Sequence, residues 1–255
     1  MTRVIKVGGR PQADPALVGA LAAAVHRAPG TLVVVHGGGD EIGALQRLHG
    51  VEARFVGGRR VTGALDLEIV RMALSGAANK RLVAALVGAG VQAVGISGED
   101  AGMVRAAPID VVQFGHAGLP SRVDPTLLRH LLGGAFLPVV SPVSRGDARQ
   151  GSVTLNVNGD DAAAAIAVAL DADELLLVSD VDGVRVEGVA VASLTADEAW
   201  QLVERGEAAG GMAAKLEAAL AALDGGVAQV RISDIAAIGS PGRGTVLTRV
   251  GSVRT

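Results

Sequence analysis

The sequence contains no cysteine and few aromatic residues. The absence of cysteine excludes disulfides, thiol catalysis and cysteine-ligated metal sites, and it fits a reducing compartment, so we predict a cytoplasmic protein. Aromatic residues make up 2% of the 255 positions, so the core must be built from Ala, Val, Leu and Ile. With 49% hydrophobic residues, the chain can bury a sizeable core.

Long apolar runs and blocks of basic charge are also missing. The longest apolar runs, 82–91 and 162–170, reach about half of the roughly 20 residues that a membrane-spanning helix needs. The sequence enters a strand-like run at once, with no apolar signal segment and no Arg/Ser-rich transit segment. The net charge is −3, and no aromatic residues alternate with Arg or Lys. We therefore expect neither a membrane nor a nucleic-acid partner.

Short apolar runs alternate along the chain with Ala- and Leu-rich stretches. This pattern predicts an α/β fold with a mostly parallel sheet and helices on both of its faces. The predicted strands are 3–7, 31–36, 91–95, 137–141, 174–179 and 229–233. The predicted helices are 14–27, 40–48, 64–74, 79–90, 125–132, 161–170, 196–205 and 212–223, the penultimate one with a capping box at Thr195 and Glu198.

Two features of the organisation are less regular. The segment 103–123 has no helical period and carries Gly115, Gly118 and Pro120, so we interpret it as hairpins that project from the sheet edge. There is no flexible linker, and we predict a single domain of two joined lobes, about 1–170 and about 171–255.

Glycines follow the first two predicted strands, as Gly8-Gly9 and as 37–39. Ligands of open parallel sheets collect beyond the carboxyl ends of the strands, where glycine lets backbone N–H groups approach an anion closely. Either loop alone fits an ordinary tight turn, and neither is a Walker A loop or a dinucleotide fingerprint. Two such loops together, one of them preceded by Lys6, predict a phosphate or carboxylate cradle.

Two lysines stand where an anionic partner would offset their cost. Lys6 lies inside an apolar strand, where a charge is costly to bury unless it is paired or faces a cleft. Lys215 lies in the first turn of a predicted helix, where its charge opposes the helix dipole. The alternative for Lys6 is a strand-end lysine whose side chain reaches solvent, and the alternative for Lys215 is a solvent-exposed lysine on the helix.

A polar cluster at 156–161 precedes the apolar helix. Capping needs a single Asn or Asp, yet the cluster contains four. Asn156 and Asn158 share one side if the backbone is extended, so one could bind substrate while Asp160 holds the lysines. Arg60, or equally Arg59, could clamp a carboxylate with two hydrogen bonds, and a solvated pair is the alternative.

In this order, the motifs resemble those of the amino acid kinase family, and within it the acetylglutamate kinases. They are the segments 5–9, 35–39, 58–62, 76–80, 138–143, 156–160, 179–183 and 211–215. The resemblance implies a three-layer α/β/α sandwich with an open sheet. It also implies ATP-dependent phosphorylation of the side-chain carboxylate of N-acetyl-L-glutamate in arginine biosynthesis, with Mg²⁺ held mainly by the nucleotide and no metal-ligating residues.

The resemblance further implies a role for each matched residue. Lys6 and Lys215 would neutralise phosphate charge, with Asp160 holding both, and the N–H groups of Gly9 and Gly38 would contact the transferring group. The acceptor would be held by Gly38, Gly39, Arg60 and Asn156, and the nucleotide by Asp180, Val181, Asp182, Gly183, Val184, Arg185, Glu207, Ala208 and Ala209. A carboxylate acceptor is already ionised at pH 7 and needs no general base, so we interpret His36 as structural.

Several departures from the family pattern leave alternatives open. Gly159 stands where the family usually has Ala, Gly63 where Asp is common, and 97–101 differs from the usual Lys-Asp-Gly pattern. Without the N-terminal helix of arginine-inhibited hexameric members, we expect a homodimer with little arginine feedback. The alternative functions are a kinase of carrier-protein-linked aminoadipate or glutamate in lysine-type biosynthesis, and a non-catalytic amino-acid sensor on the same fold.

Overall fold

Strands and helices alternate along the chain in a computed structural model that describes residues 1–147 and 153–249. The strands are β1 (Arg3–Val7), β2 (Leu32–His36), β3 (Phe55–Val56), β4 (Arg59–Arg60), β5 (Ala93–Ser97), β6 (Val104–Pro108), β7 (Ala117–Val123), β8 (Leu137–Ser141), β9 (Val143–Gly146), β10 (Thr154–Val157), β11 (Glu174–Val178), β12 (Arg185–Val186), β13 (Val189–Ala190), β14 (Ser193–Thr195), β15 (Gln229–Ser233) and β16 (Thr245–Thr248). The α-helices are α1 (Gly9–Gln12), α2 (Ala16–Arg27), α3 (Gly39–Leu48), α4 (Ala64–Arg71), α5 (Asn79–Gly88), α6 (Val111–Phe114), α7 (Thr126–Gly133), α8 (Gly159–Ala169), α9 (Ala196–Glu204) and α10 (Gly211–Asp224).

An eight-stranded sheet runs in the order β14-β16-β15-β11-β1-β2-β8-β5. Its pairs are parallel except for β15 with β16, which confirms the prediction of a mostly parallel sheet. Strand β1 lies between β2 and β11, with Lys6 opposite Val35 and Leu177. The glycine loops after β1 and β2 therefore leave the sheet side by side, at the edge where ligands of such sheets bind.

Helices cover both faces of the sheet. Val4 packs in one core with helices α8 and α10, and its neighbour Ile5 packs in a second core with α2 and α5. Both side chains are fully buried, which explains the continuously apolar character of the strand. The predicted α/β/α layering is confirmed.

The hairpin predicted within 103–123 exists, but it does not simply project from the sheet edge. Strands β6 and β7 pair with each other and close a four-stranded barrel with β9 and β10, in the order β10-β7-β6-β9. A helix and a sheet strand separate the hairpin from its partners in the chain, so local sequence pattern does not reveal the pairing. The barrel brings β10 alongside the end of the main sheet.

Helix boundaries differ from the prediction mainly at one place. The predicted helix 64–74 ends as α4 at Arg71 and continues as a π-helical segment, Met72–Ala78, that joins it to α5. The capping box at Thr195 and Glu198 is present as predicted. None of the described helices combines the length and the apolar character needed to cross a bilayer. The division into lobes stays a prediction, and its last residues, 250–255, lie outside the described part of the chain.

Candidate active site

A cavity opens where the glycine loops after β1 and β2 face the hairpin β3/β4 and strand β10. It is lined by Lys6, Gly9, Gly37, Gly38, Gly39, Ile42, Phe55, Gly58, Arg59, Arg60, Leu74, Ile109, Ala117, Gly118, Pro142, Asn156, Val157, Asn158 and Gly159. The cavity thus gathers every residue predicted to hold the acceptor, although these residues come from three separate stretches of the sequence.

The two candidate lysines meet at one carboxylate beside this cavity. Lys6 Nζ lies 2.9 Å from Asp160 Oδ1, and Lys215 Nζ lies 3.2 Å from Asp160 Oδ2. The three residues, which we call the interior triad, are only 6%, 4% and 8% exposed for Lys6, Asp160 and Lys215. Two cations and one anion leave a net positive charge in a nearly dry site, which is suited to an anionic ligand.

The pKa shifts within the interior triad follow from burial and charge. Burial by itself would raise the pKa of the Asp160 carboxyl, but the ammonium groups of Lys6 and Lys215 hold that pKa below its usual value. Burial, followed by repulsion from Lys6, lowers the pKa of Lys215 against the attraction of Asp160. The carboxylate is therefore ionised at neutral pH and fixes both lysine side chains.

Each of the four polar residues at 156–161 has different hydrogen-bond partners. Asn158 is the N-cap of α8 and accepts a hydrogen bond from the Asp160 N–H at 2.9 Å. Asn156 Nδ2 donates to Thr62 Oγ1 at 3.0 Å at the cavity wall. Asp161 Oδ2 accepts from Arg59 Nη1 at 2.5 Å. Capping thus explains only one member of the cluster.

The two arginines that the sequence left as alternatives are in different surroundings. Arg59 bridges Asp161 and, at 3.7 Å, Glu217 of α10; we call these three residues the outer bridge. Arg60 instead donates to the neutral oxygen of Gln46, and its guanidinium carbon lies 4.7 Å from the centre of the Phe55 ring. The Arg60 guanidinium can still donate hydrogen bonds to a ligand carboxylate in the cavity, whereas Arg59 already has two carboxylate partners.

The two glycine loops touch each other. A Cβ added at Gly9 would lie 3.3 Å from the Gly39 nitrogen, and one added at Gly38 would lie 2.6 Å from Leu74 Cδ2. A larger residue at Gly9 would therefore push the loops slightly apart, and one at Gly38 would require the Leu74 side chain to move. Gly159 also leaves room for the lysine, since an added Cβ there would lie 3.2 Å from Lys6 Cε.

His36 hydrogen-bonds to the second glycine loop, and Asn79 in turn hydrogen-bonds to the His36 ring. His36 Nδ1 lies 2.8 Å from the Gly37 carbonyl oxygen, so Nδ1 carries the proton, and Asn79 Nδ2 donates to Nε2 at 3.0 Å. Burial lowers the pKa of His36 to about 4. A neutral, fully buried imidazole agrees with the interpretation of His36 as structural.

A second groove continues from the interior triad along the ends of β1 and β11. It is lined by Lys6, Gly8, Gly9, Arg10, Pro11, Ser179, Asp180, Val181, Gly211, Met212 and Lys215. Since Lys6 and Gly9 line both spaces, two ligands bound in them would meet at these residues.

The residues predicted to hold the nucleotide are spread around this groove. Asp180 and Val181 line it, and the Asp180 carboxylate accepts from Arg10. The other predicted residues do not line the groove. Asp182 and Arg185 form an exposed ion pair at 3.6 Å, and Gly183 and Val184 pack near Thr245. Glu207 lies 3.9 Å from Arg205, Ala208 is buried, and the Ala209 carbonyl accepts a hydrogen bond from the Met212 N–H.

The sequence interpretation missed three polar residues that support the site. Thr62 accepts from Asn156, Gln46 accepts from Arg60, and Gln12 Nε2 reaches the carbonyl of Gly37. Thr62 could have been found, because it ends the Gly-Gly-Arg-Arg-Val-Thr motif, whereas the two glutamines carry no local signal. In the described part of the chain, no group of three or more His, Asp or Glu residues is placed to hold a metal ion.

Comparisons with known proteins show the family to which the chain is similar. The model of the amino acid kinase family matches residues 1–234. Acetylglutamate kinases of Chloroflexus aurantiacus (strain ATCC 29366 / DSM 635 / J-10-fl) and Roseiflexus castenholzii are 43% and 42% identical over 237 and 254 residues, or 92% and 99% of this chain and 92% and 96% of theirs. The crystal structure of smu.665 from Streptococcus mutans UA159 has a TM-score of 0.85 at 27% identity, covering 98% of this chain and 99% of that one.

Proposed function

This chain belongs to the amino acid kinase family, and we propose that it phosphorylates the side-chain carboxylate of N-acetyl-L-glutamate with ATP. The products are ADP and N-acetyl-L-glutamyl 5-phosphate, and the reaction is the second step of arginine biosynthesis. The observation that carries the proposal is the interior triad, in which one buried carboxylate holds two lysine ammonium groups between two adjoining ligand spaces.

The main obstacle to this reaction is repulsion between two anions, and the site supplies positive charge where they would meet. ATP supplies the γ-phosphoryl group, which a carboxylate oxygen of the acceptor attacks as the bond to the ADP oxygen breaks. Lys6 and Lys215 stabilise the charge on the phosphate oxygens, and because Asp160 fixes them in advance, they need no reorganisation during the reaction. No proton is removed from the acceptor, so no general base is needed.

The cavity on the other side of Lys6 fits an acceptor with two carboxylates and an amide. Arg60 would bind the carboxylate that does not react, and Asn156 would hold the acetylated amino group, with Gly38 and Gly39 contacting the reacting end. Lys6 and Gly9 then lie at the reacting end, since they line both spaces.

The groove beyond Lys215 would bind the nucleotide. Its two lysine side chains suit the phosphates, and Asp180 and Val181 line the groove. The remaining predicted nucleotide residues, 182–185 and 207–209, do not line the groove, so their contact with the nucleotide stays a prediction. The Mg²⁺ would be held mainly by the phosphates.

The proposal is tested by trapping the acyl phosphate with hydroxylamine. Mg-ATP is offered with N-acetylglutamate, N-acetylaminoadipate, glutamate and aspartate, to wild type and to Lys6→Ala and Lys215→Ala. We expect turnover of N-acetylglutamate that falls by roughly 10²–10³-fold in each variant. Lys80→Ala is the matched control, because Lys80 is exposed, donates to the Gly95 carbonyl and lines neither of the two ligand spaces; the variant should stay within about twofold of wild type.

Other outcomes point to the alternatives. Turnover of none of the free acids, with ATP still bound, would refute the acceptor assignment and favour a carrier-linked acceptor. Binding of both ligands without any phosphoryl transfer would favour a sensor. The homodimer without strong arginine inhibition is part of the same proposal, and a hexamer in sedimentation experiments or strong inhibition by arginine would refute it.

A further inference from the structure

Gln12, the last residue of α1, contacts both glycine loops with one side-chain amide. Its Nε2 lies 2.8 Å from the Gly37 carbonyl oxygen and 3.3 Å from the Gly8 carbonyl oxygen. Because carbonyl oxygens only accept hydrogen bonds, the amide must present its NH₂ group to both of them. One half-buried side chain thus joins the loop after β1 to the loop after β2.

The two carbonyls belong to peptides whose N–H groups matter for the site. In a planar trans peptide, the C=O of one residue and the N–H of the next point in opposite directions. Holding the Gly8 and Gly37 carbonyls on the Gln12 side therefore directs the Gly9 and Gly38 N–H groups to the other side, where both glycines line the cavity.

Glycine peptides need such support because they have no side chain to restrict their rotation. The Gly37 carbonyl has a second donor, His36 Nδ1 at 2.8 Å, and the Gly37 N–H donates to the Val7 carbonyl at 2.9 Å. The second loop is therefore held from two directions, and the Gln12 side chain adds a link between it and the first loop.

We propose that Gln12 is a positioning residue, whose amide aligns the Gly9 and Gly38 N–H groups as a pair of donors for the transferring phosphoryl group. The proposal rests on the proposed function, since it assigns these donors to phosphoryl transfer. Donors that are aligned in advance stabilise the transition state more than the bound substrates, so their loss lowers kcat rather than raising KM.

Two variants remove the donor in different ways. Gln12→Glu keeps the shape but leaves only acceptors at pH 8, and Gln12→Met keeps the length without charge or hydrogen bonds. Gln201→Met is the matched control, because Gln201 is exposed on α9 and contacts only Arg205 through its side chain in the described structure. We expect kcat about three- to tenfold lower in both Gln12 variants, in line with the modest free energy of neutral hydrogen bonds, with KM for either substrate changed less than about twofold.

A second measurement does not depend on the acceptor. The amide nitrogen of a residue responds to hydrogen bonding at the preceding carbonyl, so ¹⁵N-glycine spectra of the full-length protein report on the Gly8 and Gly37 carbonyls. The Gly9 and Gly38 signals should move in both Gln12 variants, while that of Gly19, which lies on α2, should stay in place.

The outcomes separate this proposal from the proposed function. Unchanged Gly9 and Gly38 signals, or a kcat within about twofold of wild type in both variants, would overturn the role of Gln12. A lower melting temperature with raised KM and unchanged kcat would also overturn it, because that is the signature of a purely structural residue. If wild type phosphorylates none of the acids, the proposed function fails, and the glycine spectra alone decide whether Gln12 aligns the loops.

Discussion

Asp160 and Asp161 are neighbours in the first turn of α8, yet their carboxylates belong to two different electrostatic environments. Asp160 lies in the interior triad, where two lysines outweigh the effect of burial and lower its pKa. Asp161 lies in the outer bridge, where burial raises its pKa more than Arg59 lowers it, with Asp160 and Glu217 as further anions nearby.

The comparison shows that the number of counter-charges, more than burial, distinguishes the two carboxylates. Their side chains are 5% and 11% exposed. The interior triad has an excess of positive charge and faces the proposed phosphates, whereas the outer bridge has an excess of negative charge and joins the hairpin β3/β4 to α8 and α10. We therefore expect the triad to serve the reaction and the bridge to hold the wall of the cavity in place.

The largest expected effect comes from Asp160→Asn. The variant leaves two nearly buried ammonium groups without a counter-charge, so the free energy of unfolding should fall by about 3–5 kcal/mol. The kcat should fall by roughly 10²–10³-fold, because the lysines lose their fixed positions. Urea unfolding and the hydroxylamine assay measure the two quantities.

Asp161→Asn is the matched control for this prediction, since it makes the same chemical change one residue further along the helix. Asp161→Asn should lower the free energy of unfolding by less than about 2 kcal/mol and reduce kcat by less than about fivefold, because only one cation, Arg59, loses this partner. Equal losses in the two variants would contradict the division between triad and bridge.

The second prediction concerns the pH dependence of stability near the triad. The pKa of His36 is lowered from 6.5 to about 4 by burial, with a smaller contribution from Lys6. The unfolded chain therefore binds a proton before the folded protein does, and stability should fall as the pH falls from 6.5 to 4, by about 3 kcal/mol at pH 4.

His36→Gln removes this titration, so the difference between wild type and the variant gives the contribution of His36 to the pH dependence of stability. Between pH 7 and pH 4, wild type should lose about 3 kcal/mol more unfolding free energy than the variant does. Urea unfolding at both pH values gives the difference. Parallel pH profiles for the two proteins would mean that His36 has the same pKa in the folded and unfolded states, and they would contradict the lowering of its pKa by burial.

The third prediction tests whether the outer bridge acts as a unit. In a double-mutant cycle of Arg59→Met and Asp161→Asn, we expect a coupling energy of about 1–2 kcal/mol, because both groups are largely buried. Arg59→Met alone should raise the KM for the acceptor more than it lowers kcat, since it loosens the hairpin next to Arg60. A coupling energy near zero would show that the contact contributes nothing to folding.

Whether an interaction in this comparison could be predicted from the sequence depends on how far apart its residues lie in the chain. The buried strands, the glycine loops and the two lysines are local patterns, and their meeting at Asp160 was implied by the resemblance of several motifs in order. The outer bridge was not predicted, because Arg59, Asp161 and Glu217 are far apart in the chain and no local rule pairs them. Gln12 was missed for the same reason, since its acceptors include a carbonyl of the next glycine loop.

The smallest expected effect comes from Glu217→Gln, at the exposed end of the outer bridge. Glu217 lies 3.7 Å from Arg59, and its side chain is 44% exposed, so solvent and salt screen the interaction. Removing the charge should change the unfolding free energy by less than about 0.5 kcal/mol. Because Glu217 is also one of the anions that raise the pKa of Asp161, the variant should lower that pKa. NMR titration of the Asp161 carboxyl checks the direction, and an unchanged or higher pKa would mean that Glu217 does not belong to the bridge in solution.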